Sequence, residues 1–158
     1  MNTMPTLLQE ATVVRFDGFR PDPEASAHAA MQSWLSDHPE VLSPRRVLGH
    51  NIDREGRPAH DVDNEGYRLE LIVPPDLAAA VDDATVGTLE GGRFAAMTIE
   101  GSFDADPQGS WIAEGWQRLH VELSSHGLHP HPSGRWYEEW LPPSEPGTVR
   151  FCLLAEIM

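Results

Sequence analysis

The sequence Phe19-Arg-Pro-Asp-Pro23 returns 84 residues later in the related form Phe103-Asp-Ala-Asp-Pro107. Each copy stands between an extended segment and a segment with helical spacing, and two further extended segments follow. A five-residue echo is weak when taken alone, so the repeated order of elements is the stronger sign of a duplication. We predict two half-repeats, at about residues 5–78 and 84–158, within one domain that spans residues 1–158.

Apolar residues with helical spacing predict two helices. The first covers residues 23–38, with Asp22 as its N-cap and Pro23 at its first position. The second covers residues 107–126, with Gly127 as a plausible C-cap. The buried faces are predicted to consist of Ala27, Met31, Trp34, Leu35 and His38 in the first helix and of Ile112, Trp116, Leu119 and Leu123 in the second.

Alternating apolar residues predict the strands, and the segment that begins at Tyr67 is the clearest of them. There Tyr67, Leu69, Leu71 and Val73 alternate with Arg68 and Glu70. The extended segments are residues 7–16, 46–52, 67–73, 94–99, 135–141 and 149–157. Two copies of strand-helix-strand-strand predict an α+β fold. Its halves would form one antiparallel sheet with two helices, related by a pseudo-twofold axis.

Composition and charge exclude several classes of function. The chain has 158 residues, of which 40% are apolar, and this is enough for a core. Its 25 acidic residues outnumber 11 basic ones, and the net charge of −14 argues against binding nucleic acid through phosphates. No run of about 18 apolar residues and no signal-peptide pattern occurs. We therefore expect a soluble, cytoplasmic protein without a membrane partner.

Metal and cofactor motifs are missing from the sequence. His120, His126, His129 and His131 lack the spacing of a zinc site, and the single cysteine, Cys152, lies in an apolar run. Gly91-Gly92 lacks the spacing of a phosphate-binding loop and indicates a turn between two strands. We expect neither a metal nor a cofactor.

The segment Arg135-Trp-Tyr-Glu-Glu-Trp-Leu141 is the strongest candidate for a site. In a strand, Trp136, Glu138 and Trp140 share one face, and Tyr137, Glu139 and Leu141 share the other. A carboxylate between two indoles is a composition that suits an organic cation, or a neutral ligand with one polar group. The alternative is an edge strand with solvated acids and core tryptophans. In an apolar site such a glutamate would also be a candidate acid or base.

Other aromatic residues could contribute to the same site. Trp111 and Trp116 lie on or beside the second helix, and Tyr67 opens the third strand on its apolar face. At helical spacing, tryptophans are most often core residues, and a hydrogen-bonded structural role is the default for Tyr67.

Four segments together resemble the gyrase-inhibitor-like family of small-molecule-binding domains. They are Glu65-Gly-Tyr-Arg-Leu-Glu-Leu-Ile-Val-Pro74, Leu89-Glu-Gly-Gly-Arg-Phe-Ala-Ala-Met97, Ile112-Ala-Glu-Gly-Trp-Gln-Arg-Leu119 and Trp136-Tyr-Glu-Glu-Trp-Leu141. The family includes the DNA gyrase inhibitory protein and the effector-binding domains of Rob-type and multidrug-responsive regulators. The resemblance implies a duplicated strand-helix-strand-strand fold with an aromatic ligand groove between the halves. It also implies a glutamate in that groove, which Glu138 matches best, with Glu139 as the fallback.

The isolated domain and the Glu138-Glu139 pair resemble a stand-alone branch of this family. Some members of that branch hydrolyse cyclopropane-bearing, DNA-alkylating natural products. By that resemblance, Glu138 would activate or orient water, while Tyr67 and Trp116 would place the ligand.

Three hypotheses for function follow from the sequence. The first is a protein that binds apolar, aromatic or cationic compounds and either sequesters or senses them, with the ligand held by Glu138 or Glu139, Tyr67, Trp111, Trp116, Trp136, Tyr137 and Trp140. The second is a hydrolase of reactive natural products, with Glu138 and Tyr67 in catalysis. The third is a gyrase-inhibitor-like module whose acidic surface meets a protein partner.

Overall fold

The computed structural model describes residues 4–41, 45–59, 64–80 and 85–158, and these contain three helices and eight strands. In chain order the elements are β1 (Met4–Leu8), β2 (Ala11–Phe19), α1 (Pro23–Asp37), β3 (Val47–Ile52), β4 (Gly66–Ile72), α2 (Pro75–Ala80), β5 (Val86–Leu89), β6 (Gly92–Gly101), α3 (Ser110–Ser125), β7 (Trp136–Leu141) and β8 (Val149–Glu156). The chain divides into two compact units. The first is Glu10–Glu90, and the second is Met1–Gln9 together with Gly91–Met158.

Both units contain the predicted strand-helix-strand-strand order, as β2-α1-β3-β4 in the first unit and β6-α3-β7-β8 in the second. The strands are antiparallel and lie side by side in the order β3-β4-β2-β5 in the first unit and β7-β8-β6-β1 in the second. Equivalent strands therefore occupy equivalent places. The short strand beside β2 is β5, which comes from later in the chain, and the one beside β6 is β1 from the N-terminus.

Each long helix packs on the sheet of its own unit through part of the predicted apolar face, while Trp34, His38, Ile112 and Trp116 are only half-buried. In α1 the buried residues are Ala27, Met31 and Leu35. In α3 they are Gly115, Leu119 and Leu123, which cover core residues of β6 and β8 such as Met97 and Leu153. No helix among the described residues is long and apolar enough to cross a membrane.

The two units use glycine in the same way where the first strand meets its helix. A Cβ atom on Gly18 of β2 would lie 2.0 Å from the carbonyl oxygen of Pro23, at the start of α1. A Cβ atom on Gly101 of β6 would lie 2.3 Å from the indole of Trp111 in α3. Both contacts are far closer than any real Cβ contact, so glycine lets the helix side approach the strand.

The α+β class and the antiparallel sheet predicted from the sequence are confirmed. The prediction of two helices was incomplete, because α2 is a third. Pro75 suits both the end of a strand and the first position of a helix, and it begins α2. The extended segment predicted at residues 7–16 is two strands, β1 and β2, which are separated at Gln9 and Glu10. The pseudo-twofold axis and the half-repeat boundaries stay predictions.

Candidate functional site

The face of β7 that carries Glu138 points toward α3. In the register of the sheet, Glu138 lies opposite Leu153 and Trp140 lies opposite Phe151. Both partners belong to the core that α3 covers. Because directly opposed residues in an antiparallel pair share a face, Trp136, Glu138 and Trp140 lie on the α3 side, as the alternation predicts.

Helix α3 supplies the partner of this carboxylate. The indole Nε1 of Trp116 donates a hydrogen bond to Oε2 of Glu138 at 3.3 Å. The rings of Trp116 and Trp136 meet edge to face, with centroids 5.4 Å apart and an interplanar angle of 78°. All three side chains are half-buried. We call Glu138, Trp116 and Trp136 the carboxylate-indole cluster.

The other two tryptophans of the second unit, Trp111 and Trp140, build the apolar surroundings of this cluster. Trp140 meets Phe151 edge to face at a centroid distance of 4.5 Å, and Trp111 stacks on the same ring at 5.8 Å. Trp111 also packs against Phe103, and it lies over Gly101. Both indoles are half-buried and pack against the core beneath α3. They form an apolar wall on the same side of the sheet as Glu138.

The structure places Tyr137 and Glu139 on the opposite face of β7. Tyr137 lies opposite Leu154 and packs against Phe94, with ring centroids 5.9 Å apart. Glu139 lies opposite Cys152. The sheet therefore separates these two candidates from the carboxylate-indole cluster, so that either Glu138 or Glu139, but not both, can belong to one site.

Tyr67 is a core residue of the first unit and exposes only 1% of its surface. Its ring crosses Gly49 on the neighbouring strand, where an added Cβ would lie 2.0 Å from the phenolic oxygen. This close contact favours the structural interpretation of Tyr67. A part in placing a ligand or in catalysis stays a prediction.

The first unit contains a group of charged residues that are not among the candidates predicted from the sequence. Glu70 Oε1 accepts a hydrogen bond from Arg15 Nε at 2.7 Å, and Asp17 accepts two from Arg68 at 2.7 and 3.0 Å. His50 lies opposite Arg68, and burial lowers the pKa of its imidazole. We call Arg15, Asp17, Arg68, Glu70 and His50 the polar ladder. Its signal in the sequence is the complementary charge of Arg15-Phe-Asp17 and Arg68-Leu-Glu70.

Metal-ligating side chains do not gather in the part of the chain that the structure describes. No group of three or more His, Cys, Asp or Glu residues there could hold a metal ion. His126 Nδ1 lies 2.8 Å from the carbonyl oxygen of Glu122 at the end of α3, and His131 lies beside Glu156. Cys152, the single cysteine of the chain, is half-buried.

No protein-family model matches the chain, and no curated protein matches it in sequence. Solved structures do match in fold. The EcmrR C-terminal domain has a TM-score of 0.60 at 9% identity, over 100% of this chain and 99% of that one. EcmrR in its complex with DNA has a TM-score of 0.65 at 7% identity over 99% of this chain, which spans 57% of that protein. SAV2435 bound to tetraphenylphosphonium has a TM-score of 0.53 at 11% identity, over 99% and 94% of the two chains. At such low identity these likenesses show a shared fold.

Proposed function

We propose that this chain binds small apolar molecules, above all aromatic and cationic compounds, at the carboxylate-indole cluster. The observation that carries the proposal is the hydrogen bond from Trp116 to Glu138, made beside the ring of Trp136. A carboxylate held next to two indole rings offers both of the attractions that an organic cation needs. Its charge pairs with the cation, and the ring faces contact the aromatic or aliphatic groups that surround it.

The surroundings of Glu138 favour the pairing of its carboxylate with a cationic ligand. The side chain is half-buried, and its neighbours on the sheet face are core residues. A carboxylate in apolar surroundings loses part of its hydration, and a bound cation offsets that loss. The net charge of −14 also raises the local concentration of cations around the protein.

Two comparisons support the proposal. SAV2435, which shares the fold over nearly the whole chain, was solved with tetraphenylphosphonium, an aromatic cation. The EcmrR C-terminal domain shares the fold over its whole length, and EcmrR as a whole was solved on DNA. Together with the four segments of the sequence, these likenesses support membership of the gyrase-inhibitor-like family. We propose that the chain sequesters or senses its ligand.

Titration with tetraphenylphosphonium, followed by tryptophan emission, tests the proposal. We expect saturable quenching in the wild-type protein. In Glu138→Gln the affinity should fall about ten- to a hundredfold, because a charge-assisted contact contributes roughly 1.5 to 3 kcal/mol and 1.4 kcal/mol is a factor of ten. Gln keeps the shape of the side chain and removes only its charge.

Glu139→Gln makes the same chemical change on the other face of β7. This variant should bind tetraphenylphosphonium as the wild type does. If Glu139→Gln loses affinity while Glu138→Gln does not, the site belongs to the face of Tyr137 and Glu139. If neither change affects binding, the carboxylate-indole cluster is not the site.

The hydrolase hypothesis for Glu138 is tested by the same pair of variants. Its prediction is that Glu138→Gln abolishes product formation from a cyclopropane-bearing substrate while neutral substrates still bind. The third hypothesis predicts inhibition of DNA supercoiling by the chain without any ligand.

A further inference from the structure

The polar ladder lies on the face of the first unit opposite α1. In β2 and β4, Gly18 lies opposite Tyr67 and Phe16 lies opposite Leu69. Gly18 meets α1, and the ring of Phe16 packs against Trp34 of the same helix. The residues that alternate with them along the two strands, Arg15, Asp17, Arg68 and Glu70, therefore point the other way. This face carries opposite charges side by side across two strands.

The exposed fraction of the side chains in the polar ladder falls from β2 to β4 and β3. The side chains of Arg15 and Asp17 on β2 expose 32% and 30% of their surface, and Arg68 exposes 17%. Glu70 exposes 3% and His50 exposes 6%. The ladder thus has an accessible rim on β2 and a buried floor at Glu70 and His50.

One carboxylate oxygen of Glu70 accepts no hydrogen bond from the residues that the structure describes. Oε1 of Glu70 accepts from Arg15 at 2.7 Å. Oε2 is buried, and no donor reaches it among the residues that the structure describes. A buried carboxylate oxygen without a donor is unfavourable, and native proteins rarely leave one in that state. The oxygen is therefore a place where a group from outside the chain would gain a hydrogen bond.

The charges around this oxygen indicate which kind of group fits. Arg15 and Arg68 balance Asp17 and Glu70 one to one. Burial lowers the pKa of His50, which favours the neutral form of its imidazole. A charged ligand would leave one buried charge uncompensated, which is costly in a desolvated place. A neutral donor satisfies the oxygen and preserves the balance.

We propose that the polar ladder is a second binding site, specific for a neutral group with an N–H or O–H donor such as a primary amide or a hydroxyl. The donor binds to Oε2 of Glu70, while Arg15, which is one-third exposed, keeps its hydrogen bond to Oε1 and balances the charge. This site differs in chemistry from the carboxylate-indole cluster, and it stands whether or not that cluster binds cations.

A matched pair of probes tests the proposal on the unmodified protein. Benzamide carries two N–H donors, and N,N-dimethylbenzamide has the same ring and carbonyl group without any donor. In ¹H–¹⁵N spectra, benzamide should shift the backbone amides of β3 and β4 in a saturable manner. The dimethyl compound should bind at least about tenfold more weakly, because it cannot donate to the carboxylate.

Substitution of Glu70, with a matched control at Glu55, provides the second part of the test. In Glu70→Gln the amide oxygen keeps the hydrogen bond from Arg15, and the NH₂ group takes the place of Oε2. Because an NH₂ group cannot accept a hydrogen bond from benzamide, the affinity for benzamide should fall about tenfold. Glu55→Gln, the same change at an exposed glutamate of the same unit, should bind benzamide as the wild type does. Equal binding of the two probes, or an unchanged affinity in a folded Glu70→Gln protein, would overturn the proposal. Shifts confined to residues outside β2, β3 and β4 would do the same.

Discussion

Replacing Glu156 by Gln tests whether the ion pair between Glu156 and Arg135 stabilises the second unit by holding β8 in place. Glu156 is 8% exposed, and its carboxylate accepts hydrogen bonds from Arg135 at 2.8 and 2.9 Å. The hydroxyl of Ser133 donates to the same carboxylate. Arg135 also donates to the carbonyl oxygen of Gly91 and lies over the ring of Phe94. The pair therefore ties β8 to the segments before β6 and β7.

The size of the effect follows from what Gln keeps and what it removes. A Gln carbonyl can still accept one hydrogen bond from Arg135, but the charge that balances the guanidinium is gone. Removing one partner of a fully buried pair costs about 3–5 kcal/mol. Since the Arg135 side chain is 19% exposed and water can compensate in part, we expect a loss of about 2–3 kcal/mol at pH 7. For a chain of this length, this corresponds to a fall in Tm of about 5–10 °C.

The pH dependence gives a second, independent readout. The hydrogen bonds from Arg135 lower the pKa of Glu156 in the folded state below its unfolded value. The stabilisation by the ionised group is thus fully present above the unfolded pKa of about 4.3, and it is lost as the pH falls through the lower folded pKa. The difference in stability between wild type and Glu156→Gln should therefore be large at neutral pH, where Glu156 is ionised. It should shrink progressively in acid.

Urea unfolding of both proteins between pH 3 and pH 8, with circular dichroism as the probe, measures these two quantities. The m-values should agree, because Gln leaves the buried area nearly unchanged. A difference below about 0.5 kcal/mol at pH 7, which is typical of a surface substitution, would show that the ion pair between Arg135 and Glu156 does not stabilise the fold. So would a difference that grows in acid.

Three further predictions follow from the same structure. Gly49→Ala should destabilise the protein by about 1–3 kcal/mol in thermal melts, because its Cβ would lie 2.0 Å from the buried Tyr67 hydroxyl. An unchanged Tm would show that Tyr67 can move. Trp116→Phe should weaken tetraphenylphosphonium binding about fivefold by removing the donor that orients Glu138, a hydrogen bond of about 1 kcal/mol. Wild-type affinity in a titration would exclude that role. Exhaustive chelation should leave the Tm unchanged, and a fall of several degrees would reveal a metal.

Local patterns in the sequence predict the elements that depend on local physics. The start of α1 at Pro23 and the faces of β7 follow from a proline position and from side-chain alternation, and the structure has both. The turn at Gly127 also agrees, since its φ of 66° is the left-handed value that glycine adopts after a helix. These features depend on a few neighbouring residues, so the sequence alone can predict them.

The same local patterns do not predict contacts between residues that are far apart in the sequence. Alternation suggests a solvated Glu70, yet Arg15, 55 residues away, neutralises it in a buried position. The partner of Glu138 is another case. The sequence names Trp116 as a candidate, but only the packing of α3 on the sheet brings its indole to the carboxylate. Register and helix placement, which involve the whole unit, decide both contacts.

The most direct test of cation binding at the carboxylate-indole cluster is a crystal structure of the chain with tetraphenylphosphonium. We expect the cation against the rings of Trp116 and Trp136, with ring centroids within about 6 Å of the cationic group and Glu138 beside it. Density for the cation on the face of Tyr137 and Glu139, or anywhere remote from Glu138, would show that the carboxylate-indole cluster is not the cation site.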